Sequence, residues 1–175
     1  MYKISEDSIF FSEFLYFYLK KKKNKEKIKF LDIGTGTGIL AETALKSGIN
    51  LENIHCSDIN KKAVSFVIKK GFNCIKSDLF FNISQKYDII TFNAPYLPED
   101  LQEPEDSRLE TTGGKLGDEI SLKFLKQAKE HLNNNGKILL LVSSLTPLNK
   151  INKFKPKITA RKKLWMEELM ILEFN

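Results

Sequence analysis

Apolar positions in this chain fall into two patterns that alternate along most of its length. Short, nearly continuous apolar runs, of the kind that form strands buried on both faces, occur at 28–33, 53–57, 73–76, 87–92 and 137–142. Helical spacing fills the stretches between them, at 5–19 (Ile9, Phe10, Phe14, Leu15, Phe17, Tyr18), 38–47, 61–70 and 118–133. Ser5 or Asp7 suits the first cap, Gly48 and Gly71 stop the second and third helices, and Asn134-Asn135-Gly136 reads as a turn. A short helix is expected over 147–155, then a closing pair of strands, Ile158 to Trp165 and Glu168 to Phe174. The alternation predicts an α/β fold: a doubly wound, mostly parallel seven-stranded sheet with helices on both faces and a C-terminal antiparallel hairpin. With no internal repeat or linker, residues 1–175 read as one domain.

The first strand ends in Phe30-Leu31-Asp32-Ile33-Gly34-Thr35-Gly36-Thr37-Gly38 and runs into a helix. Open α/β sheets hold nucleotide-like ligands at such turns, where glycine lets backbone approach closely or take φ > 0. The glycines do not follow G-x-G-x-x-G, the spacing that seats a dinucleotide pyrophosphate. The D-x-G-x-G-x-G pattern instead resembles the first motif of class I S-adenosylmethionine (SAM) methyltransferases. Asp58 stands 20 residues after Gly38, where doubly wound folds place a ribose-binding carboxylate. A second role, as cap of the helix that starts near Lys61, can coexist with that one. Asp78, after the third strand, is placed to accept from an adenine amine, and Asp32 lies toward the amino-acid end of such a ligand.

Asn93-Ala94-Pro95-Tyr96 follows the fourth strand, beside the same crevice. A side-chain amide oxygen and a neighbouring backbone carbonyl can together accept both hydrogens of a substrate –NH2. That fixes a weakly nucleophilic nitrogen for attack on a methyl donor. Tyr96 is expected to cover the planar group by stacking. The stretch from 97 to 118 is a long acidic loop that finishes in Gly113-Gly114-Lys115-Leu116-Gly117, and loops of such length inside a domain are usually functional.

Together these motifs resemble the HemK-type release-factor glutamine N5-methyltransferases, Rossmann-like enzymes whose hallmark is Asn-Pro-Pro-Tyr. Ser5-Glu6-Asp7-Ser8 resembles the family's segment before its first helix. Gly113-Gly114 and Val142-Ser143-Ser144-Leu145 also look familial. The resemblance implies SAM as cofactor, with contacts at Ser8, Asp32, Gly34, Thr35, Gly36, Gly38, Asp58, Ile59, Asp78, Leu79 and Asn93. It implies Asn93, Ala94, Pro95 and Tyr96 as the catalytic stretch, acting on the Gly-Gly-Gln glutamine of a class 1 release factor. The compact form resembles the archaeal and eukaryotic branch, whose members can work with a small zinc-binding activator subunit. Ala94 departs from the family's first proline, although Pro95 still biases it toward extended backbone.

Charge and composition narrow the alternatives. No apolar run approaches the ~20 residues of a membrane span. The amino terminus lacks the order of a signal peptide. Cys56 and Cys74 read as buried free thiols, so a cytoplasmic location is expected. The net charge of +6 gathers in lysine clusters around 20–25 and 153–163, each bordering an element and so read as a solvated face. Adenine N6 of DNA or RNA is the rival acceptor, since those enzymes use a similar motif. The acidic loop argues against it, because phosphates call for cations. A regulatory SAM-binding module without catalysis is the rival from another class, motivated by Ala94. No metal cluster is visible. The aromatic first helix and the sheet edge near Cys74 could receive an activator or a second copy.

Overall fold

The computed structural model describes residues 5–99 and 111–175. Seven strands form one sheet: β1 (Phe30–Ile33), β2 (Ile54–Asp58), β3 (Asn73–Lys76), β4 (Tyr87–Asn93), β5 (Leu132–Ser143), β6 (Lys157–Lys163) and β7 (Glu168–Phe174). Their order is β3-β2-β1-β4-β5-β7-β6. The first five are parallel, and β7 runs antiparallel between β5 and β6. The chain reverses direction in the order between β1 and β4, so a crevice opens at their carboxyl ends. The expected sheet and closing hairpin are both present.

Helices α1 (Glu6–Lys20), α2 (Ile39–Ser47) and α3 (Lys61–Lys69) cover one face, and α4 (Glu119–Ala128) with α5 (Leu148–Ile151) covers the other. Phe10, Phe11, Leu15 and Leu19 carry α1 into the core beside Leu40, Ala44, Leu139 and Ile171. Phe124 and Leu125 of α4 meet Ile90, Phe92, Leu140 and Val142 on the opposite face. Burying such a side chain fully contributes roughly 1.5–3 kcal/mol, which outweighs the fractional energies of local propensity. Because α1 turns most of its aromatic stripe inward, little of its apolar surface is left over; Ile9 and Phe17 stay exposed.

The sequence reading misplaced one boundary. The helix expected to reach residue 133 ends at Ala128, and Leu132 already belongs to β5. Pairing decides this: Leu132 sits opposite Tyr87 while Lys137 sits opposite Ile89, so an irregular step absorbs the extra residues. Asn135 takes φ 63° there, and Asn133 Nδ2 donates to Asp88 Oδ1 at 2.8 Å. Two capping expectations also change. Ser5 holds the N-cap position of α1 but makes no side-chain cap bond; its hydroxyl donates to the Asp7 carboxylate instead. Asn60 rather than Asp58 caps α3, its Oδ1 accepting from the Lys62 N–H at 2.9 Å. The short helix expected over 147–155 is α5 followed by a 3-10 turn, Asn152–Phe154.

Cys56 and Cys74 are partners in the β2–β3 register, both buried and both free. Burial pushes the Cys74 thiol up to about 12. No helix among the described residues is long and apolar enough to cross a membrane.

Candidate active site

Three elements meet at the glycine turn. Gly34, Gly36 and Gly38 all have positive φ, at 61°, 52° and 80°. At Gly34 the need for glycine is also spatial, since a Cβ would lie 2.9 Å from the Phe92 ring. The turn is pinned by Thr35, whose N–H donates to Ser57 O at 3.0 Å and whose hydroxyl donates to Asp32 Oδ2 at 2.7 Å. Asp58 reaches across from the end of β2. Its Oδ2 accepts from the Gly36 N–H at 2.9 Å and its Oδ1 from the Asn60 N–H at 2.8 Å. The carboxylate keeps acceptor capacity for another donor.

Asp32 is buried with hydroxyl donors on both oxygens, from Thr35 and from Thr91 at 2.9 Å. No cation pairs with it among the described residues. Burial pushes its carboxyl up to about 7 against the pull of the two hydroxyls, and the neighbouring charge of Asp58 pushes the same way. Burial also raises Asp58, while the N–H groups of Asn60, Gly36 and Ile59 lower it. A cationic group placed here would stabilise both charges.

The other wall is the end of β4. Asn93 Nδ2 donates to Ser8 Oγ at 3.1 Å and faces Asp7 Oδ2 at 3.4 Å, both on the first turn of α1. An ionised carboxylate only accepts, so the amide nitrogen belongs on that side and Oδ1 on the other. Oδ1 is buried and has no hydrogen-bond partner among the described residues. Leaving a buried carbonyl oxygen unpaired costs roughly 1–3 kcal/mol, the mark of an acceptor kept for a ligand.

Behind this stretch lies the Gly113–Gly117 segment. A Cβ on Gly113 would fall 2.6 Å from Pro95 O, and one on Gly117 would fall 2.5 Å from Tyr96 O. The Gly113 N–H donates to Leu97 O at 2.9 Å, and Leu97 pairs with Thr112 in an isolated bridge. Residues 100–110, the acidic part of the expected loop, lie outside the described residues.

Both walls face one cavity of about 370 Å³. Ser8, Asp32, Gly34, Thr35, Gly36, Asp58, Ile59, Asp78, Leu79, Asn93, Ala94 and Pro95 all line it. Two expected residues do not. Gly38 serves packing instead, its Cβ position 3.2 Å from the Val67 side chain of α3. Tyr96 does not line the cavity but packs half-buried against the core on the α1 face, and burial raises its phenol well above the usual range. Asp78 lines the cavity with a neighbour the sequence did not point to: Lys123 of α4, 2.7 Å from Asp78 Oδ2. Asp7, which steadies Asn93, was also missed, since its position beside a capping serine read as helix initiation. Leu79 adopts φ 49°, held by Ser77, whose hydroxyl donates to Leu79 O at 2.8 Å.

The methyltransferase small domain family model matches residues 10–163. The chain belongs to that family. It is a SAM-dependent methyltransferase. A Methanocaldococcus jannaschii relative named "Putative protein N5-glutamine methyltransferase" is 37% identical over 98% of this chain and 90% of its own length. A release factor glutamine methyltransferase of Borreliella burgdorferi is 39% identical, but over 48% of this chain and 34% of that protein. In fold, the methyltransferase resembles magnesium protoporphyrin IX methyltransferase of Synechocystis with bound SAM, at TM-score 0.62 and 16% identity, covering 95% of this chain and 78% of the other.

Proposed function

We propose that this methyltransferase methylates the side-chain amide nitrogen of a glutamine, and that the acceptor is the Gly-Gly-Gln glutamine of a class 1 release factor. The unpartnered Oδ1 of Asn93 carries the reading. A primary amide offers two N–H donors, one for Asn93 Oδ1 and one for the Ala94 carbonyl, and Pro95 keeps Ala94 extended. Asp7 and Ser8 hold the Asn93 amide in the rotamer that leaves the oxygen available. Preorganised acceptors of this kind stabilise positive charge building on the nitrogen as it gains a methyl group.

The residues of the glycine wall fit SAM. Asp58 would accept from ribose hydroxyls, Asp78 and Leu79 would hold the adenine end, and Asp32 would supply the charge that an ammonium group needs. Gly34, Thr35 and Gly36 bring backbone close alongside. When bound, SAM supplies the electrophilic methyl group on a sulfonium. The names of the M. jannaschii and B. burgdorferi relatives support glutamine as the acceptor. The buried free thiols fit a reducing, cytoplasmic setting. The open β3 edge suits a small zinc-binding activator subunit or a second copy.

The test is transfer of labelled methyl from SAM to a release factor carrying Gly-Gly-Gln, to the same factor with that glutamine changed, and to DNA and RNA. Label on the first alone is expected. Label on nucleic acid but not protein would reverse the choice to adenine N6, and SAM binding without transfer to any acceptor would favour a regulatory module.

A further inference from the structure

Lys22 of the first lysine cluster comes near the start of the second in space. Tyr18 near the end of α1 donates to Glu173 Oε2 at 2.8 Å, and Lys22 lies 4.4 Å from the centre of the Tyr18 ring. Glu173 is paired in register with Lys157, the first residue of β6. From there β6 climbs the open edge of the sheet through Arg161, Lys162 and Lys163, a rise of roughly 20 Å. Lys153 and Lys155 precede it. Beyond its top stand Trp165, 95% exposed, and Met166, 78% exposed. This tip lies at the end of the sheet where Ser143 pairs with Leu169, the end that also carries Asn93.

The acids around the strip are already paired, one of them with Arg161 of the strip itself. Glu168 pairs with Arg161, Glu167 accepts from Ser143, and Glu173 serves Tyr18 and Lys137. Lys153, Lys155, Lys157, Lys162 and Lys163 make no ion pair with a described residue.

We infer that this edge binds single-stranded nucleic acid, with phosphates along β6 and a base stacked on Trp165, at a surface separate from the methyl-acceptor site. Cations at both ends of one edge strand, with an open aromatic ring beyond it, are the combination that non-specific single-strand binding uses. An anionic membrane fits less well. Only Lys162 and Lys163 are level with the apolar tip, while the other cations trail down the edge away from any plane through it. An acidic protein segment would satisfy the lysines but gives no reason for a bare indole.

Trp165 is the only tryptophan in the chain, so its fluorescence reports the contact directly. Titration of the full chain with a twelve-nucleotide oligouridylate at low salt should quench that fluorescence. Log affinity should fall with log salt at a slope of about −0.7 per phosphate contacted. Replacing Lys157, Lys162 and Lys163 together by Gln should weaken binding at least tenfold and flatten the slope by about 2. Trp165→Ala, followed by anisotropy of a labelled oligonucleotide, should weaken it several-fold. Both variants should leave methyl transfer to a protein acceptor unchanged, so this outcome is independent of the acceptor's identity. The inference is overturned by absent binding, by binding without quenching, by polyglutamate binding as tightly as the oligonucleotide, or by a spectral shift that only phosphatidylglycerol vesicles produce.

Discussion

The two walls of the cavity are built on opposite plans. At the ends of β1 and β2, the groups that pin the turn have partners within the protein, Thr35 to Asp32, Gly36 and Asn60 to Asp58, and Thr91 to Asp32, while the buried Ser57 hydroxyl beside them has none among the described residues. At the end of β4 the amide nitrogen of Asn93 is held while its oxygen is buried with nothing among the described residues to accept from. A pinned wall keeps its shape whether or not a ligand is bound. An unpaired acceptor stores a deficit that only a particular donor relieves. Affinity for the cofactor should therefore reside mainly in the first wall, and rate in the second.

Substitutions at each wall test this division, beginning with the largest expected effect. Asn93→Ala should lower single-turnover methyl transfer at saturating SAM by about two to three powers of ten, as expected for losing one preorganised contact made in the transition state. SAM affinity, read from a binding isotherm, should barely move. Full turnover in that variant would reduce Asn93 to a turn residue and remove the contrast.

Asp58→Ala should show the reverse balance. Losing hydrogen bonds to a charged group costs roughly 1.5–3 kcal/mol, so SAM should bind about ten- to a hundredfold more weakly by calorimetry. Turnover at saturation should fall much less. A variant that binds SAM normally but turns over slowly would place Asp58 with the second wall.

Asp32 sharpens the comparison through pH. Its folded-state pKa, raised to about 7 from 3.8, means that the folded chain holds an extra proton between those values. Stability contributed at low pH is then lost as pH climbs from about 4 to 7, a loss of order 1–4 kcal/mol in denaturant unfolding. Asp32→Asn should flatten that decline. SAM affinity should rise through the upper part of the same range, since an ammonium group favours the ionised carboxylate. An unchanged stability profile in Asp32→Asn would show that the carboxyl is ionised throughout.

The smallest effect is expected at Ala94, which is buried against the second core cluster. Ala94→Pro should leave turnover equal or slightly higher and raise unfolding stability by about 0.4–1 kcal/mol, by restricting the unfolded chain. A marked loss of activity would mean that this backbone has departed from the geometry proline imposes.

Much of the first wall is legible in the sequence because its logic is local. A strand, three spaced glycines and a helix specify a turn, and strand ends fix where Asp58 and Asp78 emerge. The second wall depends on contacts between distant parts of the chain. Asp7 is 86 residues from Asn93, and nothing in the spacing reveals that α1 would present it there. Lys123 reaches Asp78 for the same reason. Tyr96 misled because an aromatic beside a reactive stretch suggests stacking, while burial against the α1 face competes for the same ring. The asparagine run before Lys137 misled in the opposite sense. Turn chemistry is a local preference, and it yields when Leu132 can pair with Tyr87 and Asn133 can bond Asp88.

A backbone clasp joins residues 97–99 to residues 111–114. Leu97 exchanges backbone hydrogen bonds with Thr111 and Gly113, and Glu99 donates to Gly114 O. These contacts are main-chain to main-chain, and glycine clearance seats them against Pro95 and Tyr96. The bonds of this clasp belong to the backbone, so side-chain changes at 97, 99 and 111 leave them in place. A side chain at Gly113 or Gly117 would instead press on the Pro95 and Tyr96 carbonyls and so on the chain that follows Asn93.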